Sequence, residues 1–437
     1  MNTRGKHLVT GVASLAAMAL ALAGCGAGGS SASSDSSKSG EKVEITYLHR
    51  LPDKEGMTLV DTIVKKWNDA NPNIHVTATR FKGEASNMMK KLEADVKAGT
   101  APDLAQLGYA ELPEAYTKGI LEDVTSEADA YKSHFSSSAF GLMQIGGKTY
   151  GLPQDGGPLV YYYNEAAFKE LGIEVPQTQA ELLESAQKAA AAGKYIMSFQ
   201  ADEAGNMLTG LAAASKPWYT VKDDKWVVDT NTDGSKAVAD VYQQMIDAKS
   251  AFVNPRWEPS FDAALKDGSL IGTIGAAWEA PLIMDSAGGG ESTWKVAQLG
   301  DWFGNNGKTG PDGGSGVAAL KGTKHKAEAM KFLDWFNTQV EDLTSQGLIV
   351  SATTETAKTP ESWSKFYGGQ DVMAELVKAN NNMGDFSFIP GYSAVGAAMK
   401  ETAAKAADGS GKVADIFSVA QTTSIDTLKN LKLDVAE

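Results

Sequence analysis

The sequence predicts an α/β fold in two lobes, each a sheet covered by helices. Three observations carry that expectation. Strand and helix signals alternate from Val43 onward, the alternation resumes past the middle of the chain, and 437 residues exceed one ordinary domain.

The alternation is preceded by two segments of different character. Residues 1–24 read as an export leader: Arg4 and Lys6 supply a positive start, and Leu8 to Ala23 is an apolar run short for a membrane span. It ends in Leu22-Ala23-Gly24-Cys25, which resembles the lipobox of bacterial lipoproteins. That resemblance implies cleavage before Cys25 and a lipid on its thiol, anchoring the chain to a membrane. Cys25 is the only cysteine, so internal disulfides and cysteine-rich metal sites are excluded. Residues 25–40 are almost wholly Gly, Ser and Ala and read as a flexible tether.

The folded part is expected from residue 41. Val43 to Leu48 has the β-branched content and alternation of a strand. A helix over 56–71 follows from Val60, Ile63, Val64 and Trp67 at helical spacing, with Asn71-Pro72 to stop it. A strand at 74–79, a helix at 84–98 ending at Gly99 and a strand at 104–107 complete a β-α-β-α-β run. That order argues for a parallel sheet. Further strands are expected near 160–163, 196–199 and 270–275, and helices near 179–192, 235–247 and 326–338.

Composition narrows the function. The formal charge is -14, which disfavours phosphate backbones and hence nucleic acid. Five histidines, one of them in the leader, leave few parts for metal or His-based nucleophilic chemistry. There is no Gly-x-Ser-x-Gly elbow and no His-Glu-x-x-His. Gly288-Gly289-Gly290 lacks the Lys and Ser/Thr of a phosphate loop. The sequence therefore reads as that of a non-enzyme with no cofactor and no metal.

Three segments resemble the sugar-type solute-binding proteins of bacterial ABC importers, the maltose-binding-protein-like family. The first is Gly99-Thr100-Ala101-Pro102-Asp103 with Gly119 to Val124 after it. The second runs Tyr150-Gly151-Leu152-Pro153, then Leu159 to Asn164, then Phe168 to Ile173, with Pro176-Gln177-Thr178 opening a helix. The third is Gly313 to Ala318 before the Lys326–Phe336 helix. Gln179 stands where the family usually has Trp, a packing position. The resemblance implies a periplasmic-binding-protein-like fold with several crossings between lobes. It places a first lobe at 41–155 and 313–358 and a second at 156–312 and 359–437. It also implies closure on a carbohydrate, delivery to membrane permease subunits, and a monomer lipid-anchored at the outer face of the cytoplasmic membrane. The Gly/Ser tether favours a Gram-positive surface over a periplasm. A polyol, a glycerol phosphate ester, an amino acid or a peptide stays open as ligand, and a secreted carbohydrate-active enzyme is the remote alternative.

A saccharide offers apolar faces and a rim of hydroxyls, so its binder needs aromatic planes and paired polar groups. Of nine tryptophans, Trp67 and Trp335 sit at apolar helical positions and read as core, and Trp226 lies on a surface strand; the rest are placed in loops. Trp278, with Glu279, follows the 270–275 strand, where the family commonly floors its sugar site. Trp302 lies in a glycine-framed loop, and Trp257, Trp218 and Tyr392 are further loop aromatics. Rim contacts are expected at strand ends. Arg50 and Asp53 follow the first strand, Tyr109 the third, and Asp155 sits at the first crossing. At the second crossing Gly314 and Ser315 admit close backbone approach.

Overall fold

The computed structural model describes residues 42–384 and 386–436. The leader, the tether and Cys25 lie outside the described residues. Among the described residues no helix is long and apolar enough to cross a membrane.

Val43–His49 opens the first sheet because Ile45 and Tyr47 alternate inward against outward Glu44 and Thr46. The following helix, Val60–Ala70, buries Val60, Ile63, Val64 and Trp67 on one stripe and stops at Asn71. It starts four residues later than its periodicity suggested. Residues 52–59 instead form a loop, from which Asp53 Oδ1 accepts the Val60 N–H at 2.8 Å. Ile74–Arg80 pairs parallel to the first strand, and Leu104–Gly108 pairs parallel on its other side.

The sheet then departs from the all-parallel expectation. Its order is Ile349–Val350, Gly151–Gly156, Ser315–Ala319, Leu104–Gly108, Val43–His49, Ile74–Arg80. Ser315–Ala319 lies antiparallel to both neighbours, with Ser315 opposite Gly108 and Asp155. The cause is the path of the chain, which leaves the sheet at Gly156 and re-enters at the same edge, so the returning strand must run backwards. Trp67, Phe332 and Phe336 pack beneath this sheet, and Leu92, Leu107, Tyr109 and Met143 above it.

The second lobe is built on Leu159–Asn164, flanked antiparallel by Gly272–Ala276 and Trp294–Ala297. Here periodicity found the first two strands but neither their antiparallel direction nor the third, Trp294–Ala297. The expected 196–199 strand shrinks to Ser198–Phe199, paired parallel with Phe252–Val253. Helices Gln179–Ala191, Asp233–Asp247, Tyr392–Ala407 and Val413–Asn430 cover this lobe. Gln179–Ala191 begins with a full capping box, Thr178 accepting from the Glu181 N–H while Glu181 reaches back.

The crossings run side by side. Pro158 bridges Pro311, and the Asp312 N–H donates to the Gly157 carbonyl at 2.7 Å. A Cβ on Gly157 would lie 2.4 Å from the Asp312 oxygen and 2.8 Å from the Gly314 nitrogen. Neither neighbour is a flexible side-chain end, so Gly157→Ala forces the crossings apart. It should destabilise the protein by about 1–3 kcal/mol, read as a lowered urea midpoint. An unchanged midpoint would mean the crossings separate freely.

Candidate functional site

The first sheet ends at Gly108 and Gly156 and the second begins at Leu159, so residues just past these points face each other. Gly272–Ala276 also ends there, with Ala276 opposite Leu159. Trp278 follows that end and is half-buried. Its indole N–H donates to the Asp312 carbonyl at 2.9 Å, and its ring lies against Gly313. Tyr109 follows Gly108, and its ring edge would touch a Cβ on Gly314 at 3.1 Å. Gly313 and Gly314, at φ +83° and +82°, thus let two aromatic rings approach the same strand.

Behind Tyr109 a polar chain runs into the first sheet. The Arg50 N–H donates to Gln106 Oε1 at 2.7 Å. The Gln106 amide donates to Gln154 at 2.9 Å and to the Ser315 hydroxyl at 3.1 Å. Asp155 accepts from the Ser315 N–H at 2.9 Å and from its hydroxyl. Arg50 also pairs with Glu111 at 3.0 Å. Arg50, Tyr109, Asp155, Gly314, Ser315 and Trp278 are therefore brought together. The Tyr109 hydroxyl and the Arg50 Nε–H are buried without a hydrogen-bond partner.

Tyr109 is also one wall of a cavity of about 360 Å³ between the lobes. Tyr116, Leu142 and Gln144 line it from the first lobe, and Trp226, Phe386 and Phe388 from the second. The lobes touch outside it, where Ser393 donates to Glu114 at 2.8 Å, and elsewhere at the rim, where Lys54 meets Asp285 at 3.5 Å. Trp226, expected on a surface strand, is on a strand, Lys225–Val228, but its half-buried ring faces this cavity.

The remaining candidates lie elsewhere. Trp302 is 0% exposed, its N–H donating to the Pro176 carbonyl and its ring edge-on to Tyr161. Trp218 is buried against Phe417 and donates to Ser235. Tyr392 is buried, with its hydroxyl bonded to Thr209 and to the Gly205 carbonyl. All three belong to the second-lobe core rather than to the cleft wall. Trp257 packs edge-on against Phe261 at the lobe surface. Asp53 turns away from the cleft, because Gln346 and the start of the Val60–Ala70 helix hold its oxygen and its N–H. Glu279 is 1% exposed and accepts the Ala276 N–H at 2.6 Å. It faces Arg256, so it lies behind Trp278 rather than beside it. Trp294 and Trp363, placed in loops by sequence, stand on a strand and a helix.

Burial pushes the Asp155 carboxyl up to about 7, against the pull of its Ser315 bonds. That lies above an unfolded aspartate near ~4. The stability tied to protonated Asp155 is thus whole below pH ~4 and is lost as pH rises towards about 7. Asp155→Asn carries no such loss, so its melting temperature should rise relative to wild type over that range. A difference independent of pH would assign Asp155 an ordinary titration.

Comparison with known proteins places this geometry. A galacto-N-biose/lacto-N-biose I-binding protein of an ABC transporter from Bifidobacterium longum, solved with lacto-N-biose, is 68% identical. It matches at a TM-score of 0.89 over 91% of this chain and 100% of that one. A transporter-associated binding protein from B. animalis subsp. lactis, solved with β-1,6-galactobiose, is 22% identical and shares the fold at a TM-score of 0.74, over 91% and 100%. A putative binding protein of Brucella abortus is 26% identical over 253 residues, 57% of this chain and 61% of that protein. An arabinooligosaccharide-binding protein of Halalkalibacterium halodurans is 21% identical over 284 residues, 63% of each. The chain thus spans about 61–63% of the length of these two curated relatives. A profile described as bacterial extracellular solute-binding protein matches residues 53–340, a stretch that includes Tyr109, Trp278 and both crossings, and the chain belongs to that family.

Proposed function

We propose that the protein captures a short carbohydrate outside the cell by closing its lobes on it, and passes it unchanged to the permease subunits of an ABC importer. The observation that carries this reading is the aromatic cleft at the crossings, where Trp278 and Tyr109 flank the glycine strand and aromatic rings from both lobes line the adjoining cavity of about 360 Å³. Flat rings suit the C–H faces of a sugar. The volume suits a ligand of about two sugar rings. The 68% identical neighbour, bound to lacto-N-biose, points to a hexosyl-N-acetylhexosamine disaccharide. Closure follows from contacts that both lobes make to one ligand and that the open form lacks. In this reading the mature chain is a monomer held by a lipid on Cys25 at the outer face of a Gram-positive cytoplasmic membrane.

Calorimetric titration of the mature chain with lacto-N-biose and galacto-N-biose tests the reading. Saturable heat with the sugar recovered intact is the expected result. No heat with either sugar, alongside binding of a peptide or polyol, would sink the carbohydrate assignment. Cleaved sugar would make the protein an enzyme.

A further inference from the structure

Behind the cleft, the second lobe buries an arginine with no direct access to a ligand. Arg256 has a side chain only 1% exposed. Its Nη2 lies 2.8 Å from Asp312 and 3.1 Å from Glu279, its Nη1 lies 3.7 Å from Glu203, and its Nε–H donates to Gln200 at 3.0 Å. Its backbone N–H donates to the Asp202 carboxylate. The next residue, Trp257, has φ +60°, a left-handed turn in a non-glycine residue. The local backbone beside Arg256 is thus held in an uncommon shape.

The guanidinium is also 5.6 Å from the centroid of the Trp278 ring. Trp278 is therefore gripped twice: by the Asp312 carbonyl on its N–H, and by Arg256, itself paired to the Asp312 carboxylate. Both grips converge on the crossing strand just before Gly313. A planar fork with several donors makes the two carboxylate pairs, the Gln200 bond and the ring contact at once, whereas a lysine ammonium is a single point charge.

We propose that Arg256 is the positioning residue of Trp278, fixing the indole plane at the cleft mouth and tying it to the crossing strand. The affinity for ligand therefore depends on a side chain that never touches the ligand. This inference rests on the reading of Trp278 as a ligand contact.

The test is a double-mutant cycle in the mature chain, with lacto-N-biose as probe. Arg256→Lys should weaken binding about tenfold and should alter the near-ultraviolet circular dichroism that Trp278 contributes. In the Trp278→Ala background the same change should have less than about a twofold effect. Equal losses in both backgrounds, or no loss with Trp278 present, would overturn the proposal. If Arg256→Lys does not fold, Asp312→Asn replaces it, since it removes the shortest ion pair and keeps the carbonyl that holds the indole. The same Trp278-dependent pattern is then expected, and an additive one overturns the inference. Unchanged affinity in Trp278→Ala alone removes the site reading and this proposal with it. A Trp278-dependent affinity with additive Arg256 removes only the proposal.

Discussion

Trp278→Ala should weaken lacto-N-biose binding by about 2 kcal/mol or more, roughly thirtyfold, with the fold intact. The size follows from three features of the indole. It is half-buried before any ligand arrives, so its plane is not ordered at the ligand's expense. Its N–H is already satisfied by the Asp312 carbonyl, so what it offers the cleft is apolar ring surface. It lies against Gly313 on the crossing strand, where both lobes converge. Truncation removes the ring and leaves a gap that water fills on one side of the ligand. Calorimetry on the purified variant checks the loss, with circular dichroism to confirm folding. An affinity equal to that of wild type would take Trp278 out of the site.

Much of this architecture was legible in sequence because it rests on short-range periodicity. Val60, Ile63, Val64 and Trp67 mark one helix face in any context, and all four are buried. Strand direction was not legible, since the reversal of Ser315–Ala319 depends on where the chain re-enters the sheet. Site residues divided along the same line. Trp278, Tyr109 and Ser315 stand at strand ends, and the expectation that strand ends meet at the cleft brought them together. Trp302, Trp218 and Tyr392 were judged by their glycine- and proline-rich surroundings, which describe a loop but not what covers it. Each found a buried acceptor outside its own loop: Pro176 for Trp302, Ser235 for Trp218 and the Gly205 carbonyl for Tyr392. Asp53 was lost to Gln346, a partner 293 residues distant. Gln106 and Gln154 were missed because a buried glutamine pair has no spacing signature. Phe386 and Phe388 alternate with a serine just before Pro390, and that alternation was the available signal for one cavity wall.

Arg256→Met should lower stability by about 3–5 kcal/mol at neutral pH, and by less in mild acid. Methionine fills similar space but carries no charge. Its introduction leaves Glu279 and Asp312, with side chains 1% and 2% exposed, facing each other without a cation. Removing one partner of a buried ion pair has a cost of that order, because the remaining charge can neither pair nor hydrate. The buried acids respond by keeping their protons. Burial already pushes Glu279 up to about 8 while Arg256 pulls against it, and Asp312 is raised for the same reason. Without Arg256 that pull disappears, and both folded values move further above the unfolded carboxylate value near ~4. The penalty for ionising them is therefore absent below pH ~4 and grows as pH rises. The deficit of the variant against wild type should be larger at pH 8 than at pH 5, read from urea denaturation at the two values. An equal deficit at both would mean that the carboxylates keep their charge in the variant, reached by water that the wild-type packing excludes. A deficit that shrinks in acid would identify Arg256 as the counter-charge that lowers the cost of ionising two buried acids behind the cleft.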